Sequence, residues 1–253
     1  MSQDNKDPRD GTNGSSSANS TSSGNSGNGT GNPAQGDSTG GFMTAPVTMN
    51  RQHTMRYRRG QTVYYEGDPA LSLFRVESGL IRIAKLTPRG RVLTVRHVLP
   101  GDYFGEEALT KSWREHQVEA LTDATVVPVD PNAIQGESLS VVTRSLSDQL
   151  QRVMAYEYHL QIGDLRQRVA RYLLTLSKTP LGGTDDAGKL YVRATHELIA
   201  EGTSSTRESV SKIVTELRSE GLVQSGYRRI TLLNTTQLEQ MAEANDLDND
   251  DDF

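Results

Sequence analysis

The stretch GTSSTRESVSKIVTELRSEGLV, from Gly202 to Val223, sets two kinds of residue on opposite sides of a helix. Val210, Ile213, Val214 and Leu217 recur at the spacing of a buried stripe. Thr206, Arg207, Glu208, Ser211 and Lys212 then face outward. That outer set suits the edges of a DNA duplex. An Arg fork matches guanine O6 and N7, and a Glu carboxylate accepts from cytosine N4. Thr206 and Ser211 suit phosphate oxygens, and Ser205 is counted in the same DNA-binding set. Ser205 also heads a capping box, its hydroxyl accepting from the N–H of Glu208. A solvated face explains part of the same pattern, because Glu208 and Lys212 form an i,i+4 pair in the favourable order.

Such side chains need a rigid mount. Thr195 caps a preceding short helix, HELIA, with Leu198 and Ile199 turned inward, and only a short turn separates the two helices. Two helices joined this way form a helix-turn-helix, in which the second helix presents its N-terminal residues to the major groove. The segment LVQSGYRRITLL reads as two short strands around a turn at Ser225-Gly226, with Arg228 and Arg229 available to phosphates as a wing. From Thr195 to Arg229 acidic and basic residues balance, without a basic stripe.

Upstream, Tyr57 to Val129 carries β-branched and aromatic runs broken by Gly, Pro and Asp turns, the rhythm of an antiparallel barrel or sandwich. Leu80, Ile81, Ile83 and Leu86 precede the turn Pro88-Arg89-Gly90, and Val92, Leu93, Val95 and Val98 follow it. Then Leu139, Val142, Leu146, Leu150, Val153, Met154 and Leu160 repeat at three and four, continued by Leu165, Val169, Leu173 and Leu176. This is one long helix, or two with a break near Gly163. Its stripe either packs across the β domain or pairs with its copy in a second subunit. KTPLGGTDDAGK reads as a loop.

The chain of 253 residues contains no cysteine, which excludes disulfides, thiolate metal sites and a Cys nucleophile. Its five His lack metal-ligand spacing, so no metal is expected. No nucleophile elbow or P-loop is present, and the chain reads as a non-enzyme. No apolar run is long enough to span a membrane, so no membrane partner is expected and the cytoplasm is the expected location. Residues 1–50, rich in Ser, Gly and Asn, and the acidic tail 241–253 read as disordered. The net charge of −5 argues mildly against nonspecific coating of nucleic acid.

THELIAEGTSSTRESVSKIVTEL resembles the helix-turn-helix of the cAMP receptor protein/fumarate-nitrate regulator (CRP/FNR) superfamily of bacterial transcription factors. YRRGQTVYYEGDPALSLFRVESGLIRI and LPGDYFGEEAL resemble the opening of its effector β-roll and its nucleotide-phosphate cassette. The resemblance implies an α+β fold: a cyclic-nucleotide-binding-type β-roll (jelly roll) over 51–137, a long dimerisation helix region over 138–178 and a winged helix-turn-helix over 179–240. It implies a homodimer that reads a palindromic TGTGA-type site in double-stranded DNA. Arg207 and Glu208 match base-reading positions, whereas Lys212 stands where Arg is usual and Ser204 where the turn has Gly. By the same resemblance, the loop holding Gly183, Asp185 and Asp186 contacts RNA polymerase.

The family's effector pocket maps onto Gly105, Glu106, Glu107, Ala108 and Arg114, with Glu115 in place of a small hydroxyl residue. On the long helix, Val153 and Met154 stand where a Thr-Ser pair would hold adenine. The pocket reads as degenerate or altered, with Arg114 pairing internally to Glu106 or Glu115 and no cofactor required. A cAMP-gated regulator is one alternative, and a ligand sensor acting through a protein partner is another. The chain also resembles the stress-response regulators of the Deinococcus–Thermus group, which are among the superfamily members that act without a cyclic nucleotide.

Overall fold

A computed structural model describes residues 54–243, so the disorder expected over 1–50 lies outside the described residues; of the tail expected to be disordered over 241–253, residues 241–243 are helical and the rest lies outside the described residues. Eight strands form the N-terminal β-roll: β1 (Met55–Tyr57), β2 (Thr62–Tyr64), β3 (Leu73–Ser78), β4 (Ile81–Leu86), β5 (Val92–Val98), β6 (Tyr103–Phe104), β7 (Gln117–Ala120) and β8 (Ala124–Val129). They make two antiparallel sheets, ordered β1-β8-β3-β6 and β2-β7-β4-β5. Val76, Ile81, Val98, Val118 and Val126 are fully buried between them. The space next to these aliphatics is filled by Tyr64, Phe74 and Phe104, stacked with centroids 5.2–6.3 Å apart.

The break near Gly163 is present. α1 (Glu137–Gln161) ends, and α2 (Leu165–Ser177) begins with a capping box between Asp164 and Gln167. The heptad-like stripe of α1 divides between two faces. Val142 is buried and Leu146 packs with it against Leu73 and Ile134 of the β-roll side. Leu150, Met154 and Tyr158, one turn apart, are 56–59% exposed, and Leu139 is half exposed. α1 therefore packs on the β-roll and still shows an apolar edge to its outside.

α2 does not continue that role, contrary to its expected place in a helix region running to 178. Val169, Ala170, Tyr172, Leu173 and Leu176 are buried with Ile199, Val214, Leu217 and Leu238 in the C-terminal core. The reorientation at Asp164 turns the α2 stripe inward. The C-terminal elements are β9 (Gly182–Thr184), β10 (Leu190–Val192), α3 (His196–Gly202), α4 (Arg207–Ser219), β11 (Val223–Gly226), β12 (Arg229–Leu232) and α5 (Thr235–Glu243). The third sheet runs β11-β12-β10-β9.

Three local expectations are corrected. KTPLGGTDDAGK is not a plain loop, because its GGT pairs with Leu190–Val192 as a hairpin. Strand β9 has no apolar alternation of its own and is set by its neighbour. The final hairpin turns at Tyr227-Arg228, not Ser225-Gly226, since Gly226 pairs with Arg229. Buried Val223, Ile230 and Leu232 fix that register, and a slip would turn them outward. Helix α5 runs to Glu243 with Leu238 buried, past the expected end of the winged domain at 240. Among the described residues, no helix is long and apolar enough to cross a membrane.

The two halves are joined by side chains. Leu80 and Leu121 of the β-roll belong to the C-terminal core cluster. Buried Arg82 on β4 donates to Glu119 of β7 at 2.7 Å and to Glu201 of α3. Tyr156 of α1 donates to the Gly202 carbonyl.

Candidate nucleic-acid interface and effector pocket

Helix α3 opens as expected, with the Thr195 hydroxyl accepting from Leu198 N. Ser204 takes φ 53, in the left-handed region. The Ser205 N–H donates to the Ala200 carbonyl at 2.9 Å, which commits Ser205 to the turn. The cap of α4 is therefore Thr206, not Ser205. The Thr206 hydroxyl accepts from Ser209 N at 3.2 Å, and Glu208 closes no capping box.

Val210, Val214 and Leu217 are buried, with Ile213 packed beside them. The opposite side is an open concave surface lined by Arg207, Glu208, Ser211, Lys212, Thr215 and Glu216. Arg207 and Glu208 lie in the first turn and are exposed. The helix thus holds a guanidinium, a carboxylate, a hydroxyl and an ammonium on one rigid face, as groove reading requires.

The expected wing pair separates. Arg228, at the tip, is exposed and lies 5.5 Å from the Tyr227 ring. Arg229 turns back, stacking 3.8 Å over Tyr191 and approaching Asp185 at 3.6 Å. Asp185 also accepts from the N–H groups of Ala187 and Lys189, so it holds the β9–β10 turn together. Asp186 is exposed. Gly183 lies under the Tyr191 ring, which a β-carbon there would meet at 2.6 Å.

In the β-roll, Gly105 at φ 79 opens a 3-10 turn over Glu106–Leu109. Arg114 is buried and donates to the carbonyls of Gly105 at 3.0 Å and Ser72 at 2.6 Å. Its guanidinium stacks 4.3 Å over Tyr64 and lies 3.6 Å from Glu107. The internal partner is therefore Glu107 rather than Glu106 or Glu115, because the Glu107 carboxylate is the buried one. Burial alone would raise the Glu107 pKa, but hydrogen bonds from His116 and the backbone, with the Arg114 charge, hold it below the usual value.

Glu106 instead accepts from Arg96 of β5, at 2.7 Å to both oxygens, and Glu115 pairs outward with Lys111. Ala108 packs beside the Leu73–Ile134–Val142 cluster. Val153 lines a cavity of about 100 Å³ with Thr94, His97, Gln149 and Tyr156. Met154 is 56% exposed and does not line that cavity, a consequence of the 100° step between neighbours on a helix. Arg96 was missed by sequence reasoning, and the one charge inside VLTVRHV was the available signal.

Comparison with known proteins agrees with both halves. Residues 54–136 match the cyclic nucleotide-binding domain model, and residues 167–241 match the Crp-like helix-turn-helix domain model. The chain belongs to the CRP/FNR family of transcription regulators.

The transcriptional regulator LdrP of Thermus thermophilus is 51% identical over 187 residues, spanning 74% of this chain and 95% of LdrP. The transcriptional regulator SdrP of the same species is 36% identical over 195 residues, spanning 76% and 96% respectively. The crystal structure of a CRP family transcriptional regulator, also from T. thermophilus, matches with a TM-score of 0.73 at 49% identity, covering 76% of this chain and 97% of that one.

Proposed function

We propose that this chain works as a homodimer that reads a palindromic TGTGA-type site and recruits RNA polymerase, without needing a cyclic nucleotide. The observation that carries the DNA reading is the outward set Arg207, Glu208, Ser211 and Lys212 on a helix capped by Thr206 and anchored through Val210, Val214 and Leu217. The exposed edge Leu150, Met154 and Tyr158 on α1 supports a dimer, since apolar residues one turn apart suit a copy of the same helix. Twofold pairing would set two copies of α4 on successive turns of the groove.

The pocket residues do not fit a cyclic nucleotide. The guanidinium that would take its phosphate is closed against Ser72, Gly105, Glu107 and the Tyr64 ring, and Glu106 is held by Arg96. Glu115 adds a further carboxylate at the position of a hydroxyl. On the polymerase-facing hairpin, exposed Asp186 is the better contact, because Asp185 is committed to the turn.

The test pairs a mobility-shift assay with calorimetry. A salt-sensitive shift of a palindromic TGTGA-type site, absent with a scrambled duplex and unchanged by cAMP, is expected, along with no heat of cAMP binding. The absence of any sequence-dependent shift defeats the DNA reading. A shift that needs cAMP defeats the nucleotide-independent part alone.

A further inference from the structure

The helix-turn-helix faces a shortage of positive charge. Thr195 to Arg229 holds five acidic and five basic residues, and Arg229 is engaged with Asp185. A duplex is a dense polyanion, and most affinity for it comes from phosphates neutralised by Lys and Arg. The missing charge lies in the other half of the chain. Leu80 to Gly101 contains Arg82, Lys85, Arg89, Arg91 and Arg96 and not one Asp or Glu. Three of these cations have carboxylate partners: Arg82 with Glu119 and Glu201, Lys85 with Glu66, and Arg96 with Glu106. Arg89 and Arg91, at the tip of the β4–β5 hairpin, pair with no carboxylate among the described residues and are exposed.

The tip is rigid and well placed. Gly90 N donates to the Thr87 carbonyl at 2.9 Å, Thr87 N to the Arg91 carbonyl at 2.8 Å, and Arg91 N to the Thr87 hydroxyl at 3.0 Å. The Arg91 guanidinium reaches across and donates to the Ser205 carbonyl at 2.8 Å. Ser205 immediately precedes Thr206, the cap of α4. Farther back, the Arg82–Glu201 pair fixes β4 to α3. The hairpin is thus held to the helix-turn-helix at two points, with Arg91 beside the N-terminus of the groove-facing helix and exposed Arg89 two residues away at the same tip. One N–H of Arg91 is used by Ser205, and a guanidinium carries five.

We propose that the β4–β5 hairpin tip is a second DNA-contacting element, in which Arg89 and Arg91 neutralise backbone phosphates flanking the groove occupied by α4. This rests on the DNA-binding reading above and adds to it a contribution from the β-roll. The contact carries no base information. It raises affinity equally on all sequences, and it does so only while the hairpin stays docked on Ser205 and Glu201.

The experiment measures the dissociation constant of the full chain for a TGTGA-type palindrome and for a scrambled duplex across a salt series. Arg89→Ala is expected to weaken both duplexes alike. In a dimer it removes two contacts, which lowers the slope of log K against log salt by about 2. Arg89→Lys, which keeps the charge, is expected to restore the slope. Arg91→Ala is expected to act similarly.

A wild-type protein that binds the palindrome with a slope untouched by Arg89→Ala overturns the hairpin's role and leaves the DNA reading standing. Weakening confined to the palindrome overturns it too, because that outcome means base contact. Unaltered DNA binding with reduced transcription assigns the tip to a protein partner instead. Failure of the wild type to bind any duplex removes both readings together.

Discussion

The ring of Tyr172 lies against Gly202 so closely that a β-carbon on the glycine would fall 2.0 Å from Cζ and 2.3 Å from the hydroxyl. Tyr172 is buried on α2, and its hydroxyl lies 3.3 Å from Nε2 of His97 on β5. The last residue of α3 therefore packs on a ring of the C-terminal core that itself reaches β5 of the β-roll. Gly202→Ala is expected to destabilise the protein by about 1–3 kcal/mol. Thermal or urea denaturation reads this directly, and an unchanged midpoint would mean that Tyr172 moves aside without cost.

Two residues on, Ser204 holds a conformation suited to glycine. A non-glycine residue in the left-handed region costs on the order of 1 kcal/mol. Ser204→Gly is expected to raise stability by about 0.5–1 kcal/mol while leaving the DNA site preference intact, since the Ser204 side chain lines no part of the groove-facing surface. A denaturant midpoint that falls instead would assign the hydroxyl a structural role.

Arg207 is exposed on the outer face in the first turn of α4. Arg207→Ala is expected to cost about 1–3 kcal/mol of discrimination between the palindrome and a duplex altered at its guanines. Competition binding measures it. Equal weakening on every sequence would make Arg207 a phosphate ligand. Lys212→Arg restores a fork and is expected to sharpen preference at the neighbouring base pair.

The edge of α1 supplies a test of assembly. Leu150→Glu together with Met154→Glu puts charge where two apolar copies would meet and leaves Val142, on the β-roll side, untouched. Light scattering is expected to report a folded monomer, with binding to the palindrome weakened at least tenfold. A dimer that persists would relocate the interface.

Acid should loosen the junction between the halves. Burial, with the Arg82 charge second, holds the His97 imidazole down to about 4, whereas in the unfolded chain it titrates near 6.5. The unfolded state thus takes up a proton first. Stability is full above pH 6.5 and falls as the pH drops toward 4, by about 3 kcal/mol at most. His97→Gln is expected to flatten that window in unfolding measured against pH. An identical pH profile in the variant would show that His97 is free to protonate in place.

The helix-turn-helix was legible because its signals are local. Thr195 caps its own helix, and Val210, Val214 and Leu217 repeat at a period that only a helix satisfies. What escaped was decided between distant segments. The cap moved from Ser205 to Thr206 because Ser204 adopts a backbone angle that its side chain does not announce. The wing turned at Tyr227-Arg228 because Val223, Ile230 and Leu232 had to face inward together.

The pocket residues Gly105, Glu107 and Arg114 do meet. The pairings Arg114–Glu107 and Arg96–Glu106 depend on which carboxylate the β-roll buries, and spacing along the chain does not encode that. The split of the α1 stripe into two faces likewise follows from where the β-roll lies.

Leu80 and Leu121 sit in the same apolar cluster as Ile199, Val214 and Leu238. One continuous oily interior runs from the β-roll into the helix-turn-helix half. Heat should accordingly melt both in one event, and calorimetric and van't Hoff enthalpies should coincide. The two parts share their breathing as well: an opening that loosens α2 strips cover from the strand ends above it and from the groove-facing helix below. A protein built this way is expected to pass a disturbance from one half to the other through that shared packing.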